Sequence, residues 1–207
     1  KELDTYTPSA MKSTNVTRTF SLVSQGENYE RQGHLGGVLW FTGLPASGKK
    51  TLSYQLEKCL FDLGYEAFAF DSRWLRGGLT SDLGFHREDR KENIRRAGEL
   101  AALMARSGLV VITSFISPYA EDRAGVRAAA SNFHEIYLDV PLDICEARDT
   151  QNRYARARSG ELADFTGISA PYETPVNPEV ILDGRVLSEQ DCLEHLVNYV
   201  DRNFRKL

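Results

Sequence analysis

Residues Gly43-Leu44-Pro45-Ala46-Ser47-Gly48-Lys49-Lys50 have the spacing of a phosphate-binding loop, or P-loop. Its glycines let backbone N–H groups turn inward around phosphate oxygens, and Lys49 reaches the β- and γ-phosphates. In the pattern G-x-x-x-x-G-K-S/T the last position supplies a hydroxyl that ligates Mg²⁺. Here that position is Lys50. An ammonium has three donors and no lone pair, so it cannot ligate a cation. The loop predicts a bound nucleoside triphosphate, held by Gly43, Ser47, Gly48, Lys49, Lys50 and Thr51. Lys50 predicts a departure from ordinary metal-assisted turnover. A one-residue slip would bring in the Thr51 hydroxyl, but the loop backbone fixes which side chain faces the phosphates.

The flanking segments are those such a loop needs. Val38-Leu39-Trp40-Phe41-Thr42 is a short apolar run bounded by glycines, the signature of a buried parallel strand. From Thr51 to Leu63, apolar residues recur at helical spacing (Leu52, Leu56, Cys59, Leu60, Leu63). A second strand, 67–70, ends on Asp71. A long helix is expected over 87–107, with Ile94, Ala97, Leu100, Ala101 and Met104 buried and Gly108 as its stop. Strand 109–112, helix 120–130, strand 136–139 and a helix after Pro141 follow. The arginine-rich, weakly apolar stretch 148–165 suits a mobile helical lid. A last helix, 188–204, places Leu193, Val197, Val200 and Phe204 on one face. Alternating strands and helices predict an α/β fold of the P-loop NTPase type, a parallel sheet flanked by helices. Ligands then sit at the carboxyl ends of the strands, where the P-loop, Asp71, Thr113-Ser114 and the segment after Asp139 fall.

Composition narrows the function. The 207 residues fit one domain, and 42% apolar with 26% charged residues is ordinary for a globular chain. A net charge of −4 argues against a general nucleic-acid or membrane-surface binder. Cys59, Cys145 and Cys192 form no C-x-x-C pair, which disfavours a metal site or disulfide framework and suits a reducing cytoplasm. His34, His86, His134 and His195 share no ligand spacing and read as exposed or packing residues, so no metal ligand is assigned. No signal peptide or transmembrane-length run is present. Residues 1–12 read as a linker, a tag remnant or the tail of an upstream domain, with Met11 an alternative start and the domain running over 13–207.

The loops after each strand, taken together, resemble the adenylyl-sulfate (APS) kinase family. The motifs are Leu83-Gly84-Phe85 with 88–96 (EDRKENIRR), 112–119 (ITSFISPY) with Asp122-Arg123, 145–149 (CEARD), and 164–168 (DFTGI). The resemblance runs from about Ser13 to the end of the chain. It implies a P-loop kinase fold, a homodimer, Mg²⁺ and the reaction ATP + APS → ADP + PAPS. It also implies that Asp71 and Lys49 are catalytic and that Arg148 packs on the ATP adenine. Around APS it places Arg76, Phe85, Arg90, Asn93, Ser114, Phe115, Ile116 and Phe165, with Phe85 and Phe165 sandwiching the adenine. The residue types agree. Arginine captures phosphate or sulfate oxygens bidentately, asparagine offers acceptor and donors, and aromatic rings stack on a base. Arg95 or Arg96 is a further candidate for the anion, the other reading being solvated helix charges. Phe85 and Phe165 have core packing as their other reading.

Three positions depart from the family. Where it has two carboxylates one residue apart, Asp-Gly-Asp, this chain has Asp71-Ser72-Arg73, and an arginine neither coordinates a cation nor takes a proton. Lys50 replaces the metal-ligating hydroxyl, and Gln151 replaces a lid lysine, with Arg153, Arg156 and Arg158 as candidates to restore charge. The expectation is therefore APS-kinase chemistry at a reduced rate. The alternative is a non-catalytic pseudokinase that binds ATP, APS or PAPS for regulation or assembly, for example alongside a fused ATP sulfurylase.

Overall fold

The computed structural model describes residues 21–205; the expected tail 1–12, Met11 and the boundary at 13 lie outside them. Five parallel strands, β1 (Gly37–Thr42), β2 (Ala67–Asp71), β3 (Val110–Ser114), β4 (Phe133–Asp139) and β5 (Val180–Asp183), form one sheet in the order β2-β3-β1-β4-β5. Every residue of β1 is buried, as a central strand covered on both faces must be. Its side chains alternate between two cores. Leu39 and Phe41 join Val110, Ile112 and Ile136 beneath helices α2 (Lys49–Asp62) and α8 (Glu189–Phe204). Val38 and Trp40 join Val111 on the opposite face, beneath α4 (Arg87–Arg106) and α5 (Ala120–Ala129).

The expected α/β sheet is present, with shifted boundaries and three additional elements. Helix α2 begins at Lys49 rather than Thr51, because Gly48 serves as its N-cap at φ +95°. Its buried stripe is Leu52, Leu56 and Leu60; Leu63 caps the end and is exposed. Strand β3 runs on to Ser114 and β4 starts at Phe133. The α8 stripe is centred on Cys192, Leu196, Val200 and Phe204, with Leu193 and Val197 at its margin. Unforeseen were α1 (Gln25–Gln32), α3 (Ser72–Arg76) and β5. Helix α1 buries none of its residues and is set by a Ser24–Glu27 capping box. Strand β5 is the sheet edge and alternates buried and exposed positions. Helices α6 (Leu142–Ala147) and α7 (Arg153–Arg158) complete the chain, α7 lying within the segment expected as a lid.

Cys145 and Cys192 are buried thiols. His34 and His134 pack inside, whereas His86 and His195 are exposed. No described helix is long and apolar enough to cross a membrane.

Candidate functional site

The order of the sheet sends the chain to one side of β1 through β2 and β3 and to the other through β4 and β5, so a crevice opens at the carboxyl end of β1. The P-loop lies there. Its backbone needs glycine at both ends. A Cβ on Gly43 (φ +148°) would stand 2.8 Å from the Leu138 carbonyl oxygen, and Gly48 is left-handed. Ala46 between them is also left-handed, at φ +59°, a conformation an alanine adopts only under strain.

Lys49 curls back into the loop. Its Nζ donates to the Gly43 carbonyl at 2.9 Å, the Leu44 carbonyl at 2.6 Å and Ser47 Oγ at 3.1 Å. Burial pushes its ammonium down to about 7. Beneath the loop, Thr42 Oγ1 donates to the Ile116 carbonyl and accepts from Ser117 Oγ, which in turn accepts from Trp40 Nε1. This network ties the P-loop strand to the 114–118 segment; Ile116 and Ser117 fall in the 112–119 motif, but nothing in the sequence pairs them with Thr42 or Trp40.

Lys50 and Asp71, treated separately in the sequence, meet. Lys50 Nζ lies 2.8 Å from Asp71 Oδ2, with the lysine half exposed and the aspartate buried. Asp71 Oδ1 caps α3, accepting from the N–H groups of Arg73 at 2.8 Å and Trp74 at 3.2 Å. Burial opposes the Asp71 charge, but the Lys50 hydrogen bond and the two N–H donors outweigh it and hold the carboxyl below its ordinary range. The Arg73 side chain lines the cleft and has no hydrogen bond or ion pair among the described residues.

The acceptor-side candidates gather around the same cleft. Arg76 Nη1 donates to the Leu83 and Gly84 carbonyls, and its guanidinium lies 4.2 Å from the centre of the exposed Phe85 ring. Arg90 joins two loops, donating to the Phe85 carbonyl at 2.6 Å and the Asp164 carbonyl at 2.8 Å. Asn93 is buried on α4, where its Oδ1 accepts from Thr80 Oγ1 at 2.8 Å. Ser114 and Ile116 line the wall, and Phe165 packs edge-on against Tyr154. Arg148, at the end of α6, lines the cleft and is exposed.

Phe115 lines the cleft, with its side chain only 2% exposed, stacked on Trp40 at 5.1 Å and edge-on to Phe70. Two expectations need correction. Neither Arg95 nor Arg96 reaches the cleft: Arg95 pairs with Glu92, and Arg96 with Asp82 and Glu92. Of the replacement charges, Arg153 and Arg156 line the cleft but are tied to Asp149 and Glu161, while Arg158 pairs with Glu146 away from it.

The cleft has a volume of about 1050 Å³, at the upper end for small-molecule sites. Its walls carry eight basic side chains, those of Lys49, Lys50 and six arginines, against two acidic ones, Asp71 and Glu189. A chain of net charge −4 thus concentrates positive charge at one place, which suits a polyanionic ligand.

The model of the adenylylsulphate kinase family matches residues 35–183, which contain this cleft's P-loop and acceptor motifs. The chain belongs to the adenylyl-sulfate kinase family. It is 47% identical over 191 residues to the adenylyl-sulfate kinase of Oceanobacillus iheyensis, covering 91% of this chain and 96% of that one. It is 45% identical over 193 residues to that of Staphylococcus carnosus, covering 92% and 97%. Among solved structures it resembles the APS kinase of Mycobacterium tuberculosis in complex with AMPPNP and APS, with a TM-score of 0.76 and 40% identity over 81% of this chain and 98% of that one.

Within this adenylyl-sulfate kinase fold, the residues at the Mg²⁺ position do not fit a divalent cation. Both Asp71 oxygens are engaged, one by an ammonium, and the neighbouring positions 50 and 73 carry cations rather than lone pairs. Among the described residues no group of three or more His, Cys, Asp and Glu side chains could hold a metal.

Proposed function

We propose that this chain binds ATP on the 43–51 loop and APS on the wall formed by Arg76, Phe85, Arg90, Asn93, Ser114, Ile116 and Phe165. Its phosphoryl transfer, ATP + APS → ADP + PAPS, runs far more slowly than the family reaction. The observation that carries this reading is the 2.8 Å contact between Lys50 and Asp71. In this reading Asp71 is the group that would take the proton of the attacking 3′-hydroxyl. A carboxylate already accepting from an ammonium and two backbone N–H groups has little basicity left for that proton. Lys49 would leave its carbonyl nest to meet the β- and γ-phosphates, and Arg148 would cover the ATP adenine. Arg76 and Arg90 would orient the APS anion while Phe85 and Phe165 hold its base, which supports positioning of the acceptor hydroxyl.

The second reading, a pseudokinase that holds ATP, APS or PAPS for regulation or for assembly with an ATP sulfurylase, is favoured by Arg73. Its side chain has no partner among the described residues and lines the cleft at the position where the family resemblance implies a second carboxylate. A cytoplasmic homodimer belongs to either reading and is checked by light scattering. The deciding experiment is a coupled assay of the purified protein with ATP, Mg²⁺ and APS that follows PAPS, with APS and PAPS affinity measured on the same sample. Slow PAPS formation with firm nucleotide binding supports the first reading. Binding with no PAPS supports the second. PAPS formation at the rate of an ordinary family enzyme refutes the account of Lys50 and Arg73, and absence of nucleotide binding refutes both readings.

A further inference from the structure

The place that the family gives to a hydroxyl and a metal holds cations of the chain's own. Lys50, the second residue of α2, lines the cleft with 54% of its side chain exposed while its Nζ is held 2.8 Å from Asp71 Oδ2. The Tyr54 ring centre lies 5.7 Å from the same Nζ, which steadies the ammonium from a second side. One N–H is spent on Asp71, leaving two donors for phosphate oxygens. Arg73, on the helix that Asp71 caps, brings a guanidinium with no partner among the described residues to the same cavity. Two carboxylates with Mg²⁺ sum to zero charge; Asp71 with Lys50 and Arg73 sums to plus one. The built-in arrangement therefore attracts a polyphosphate at least as well as a metal-loaded site, and an incoming Mg²⁺ meets two fixed cations.

We infer that this site binds nucleoside di- and triphosphates without a divalent cation, with Lys50, held by Asp71, and Arg73 supplying the charge that a metal supplies elsewhere in the family. The inference rests on the nucleotide-binding reading above and deepens it. The two can fail separately.

The test is calorimetric titration of the whole chain with ADP, which is not consumed, in buffer with Mg²⁺ and in buffer with EDTA. The expected result for the unaltered protein is a Kd that differs by less than about threefold between the two buffers. In the Lys50→Ser, Arg73→Asp double variant, binding in EDTA should weaken at least about tenfold and recover when Mg²⁺ is added. Lys50→Arg, which keeps the charge, should stay metal-independent. A loss of tenfold or more when EDTA replaces Mg²⁺ around the unaltered protein would overturn the inference while leaving nucleotide binding intact. No binding in either buffer would overturn the nucleotide reading, and this inference with it. The comparison on the unaltered protein stands without any variant. If the double variant melts early, Lys50→Gln at a half-exposed side chain serves in its place, with weaker binding in EDTA expected and unchanged binding counting against the inference.

Discussion

Releasing Asp71 should restore turnover, and the structure sets the scale. At 2.8 Å an ammonium and a carboxylate attract by about 1.5 kcal/mol at the dielectric of water and about 6 kcal/mol at an effective dielectric of 20. Lys50 is half exposed, so solvent screening makes the lower figure the upper bound on what its removal returns to the transition state. Lys50→Ser alone should therefore raise kcat by no more than about tenfold. Arg73→Asp added to it returns the second carboxylate and removes the other cation. General-base assistance in full is worth about 10²–10⁴, so the double variant should gain at least about 10²-fold. That gain should require Mg²⁺, since the hydroxyl and both carboxylates are then present. The KM for APS should change little, because no acceptor-side contact involves Lys50. The assay is steady-state PAPS formation with ATP and APS varied separately, on variants whose melting curves match the unaltered protein. A folded double variant with no rise in kcat would refute the assignment of positions 50 and 73 to the metal and base.

Lys49 gives a second prediction. Burial lowers its ammonium from 10.5 to about 7, so between those values the unfolded chain binds more protons and stability rises with pH across that window, the full cost lying below it. A bound diphosphate favours the charged form, so ADP titrations near pH 8 in buffers of different ionisation enthalpy should show proton uptake, absent in Lys49→Met; equal heats in all buffers would contradict the shift. Phe85 is 67% exposed, so Phe85→Ala should leave the melting temperature nearly unchanged while weakening APS binding by about 1–3 kcal/mol, measured by calorimetry. Unchanged APS affinity would remove Phe85 from the site. Ala46 sits at φ +59°, so Ala46→Gly should stabilise by about 1 kcal/mol, a rise in melting temperature of about 2–4 °C by scanning calorimetry. A lower melting temperature would show that the loop carries no strain there.

Strand β1, the P-loop and α2 were legible because each rests on a local signal: an unbroken apolar run, glycines at fixed spacing, a helical stripe. Helix α1 was missed because it buries nothing and so has no stripe, although its S-x-x-E capping box at Ser24–Glu27 is visible in the sequence. Strand β5 was missed because an edge strand of four residues, only two of them buried, looks like loop. For Phe115 the motif gives a position on the cleft wall but not the direction of its ring, which stacking on Trp40 decides.

The sequence by itself determined four of the five strands, the phosphate loop and the family, since these follow from residue type at short, fixed spacing. Only the tertiary structure decided which charges meet. Lys50 and Asp71 come from different elements yet stand 2.8 Å apart, while Arg95 and Arg96, in a family motif, are taken up by Glu92 and Asp82 away from the cleft. Eight basic side chains surround one cavity in a chain of net negative charge. Electrostatic interaction depends on separation in space and on exposure to water, and neither is set until the strands have brought distant loops to one end of the sheet.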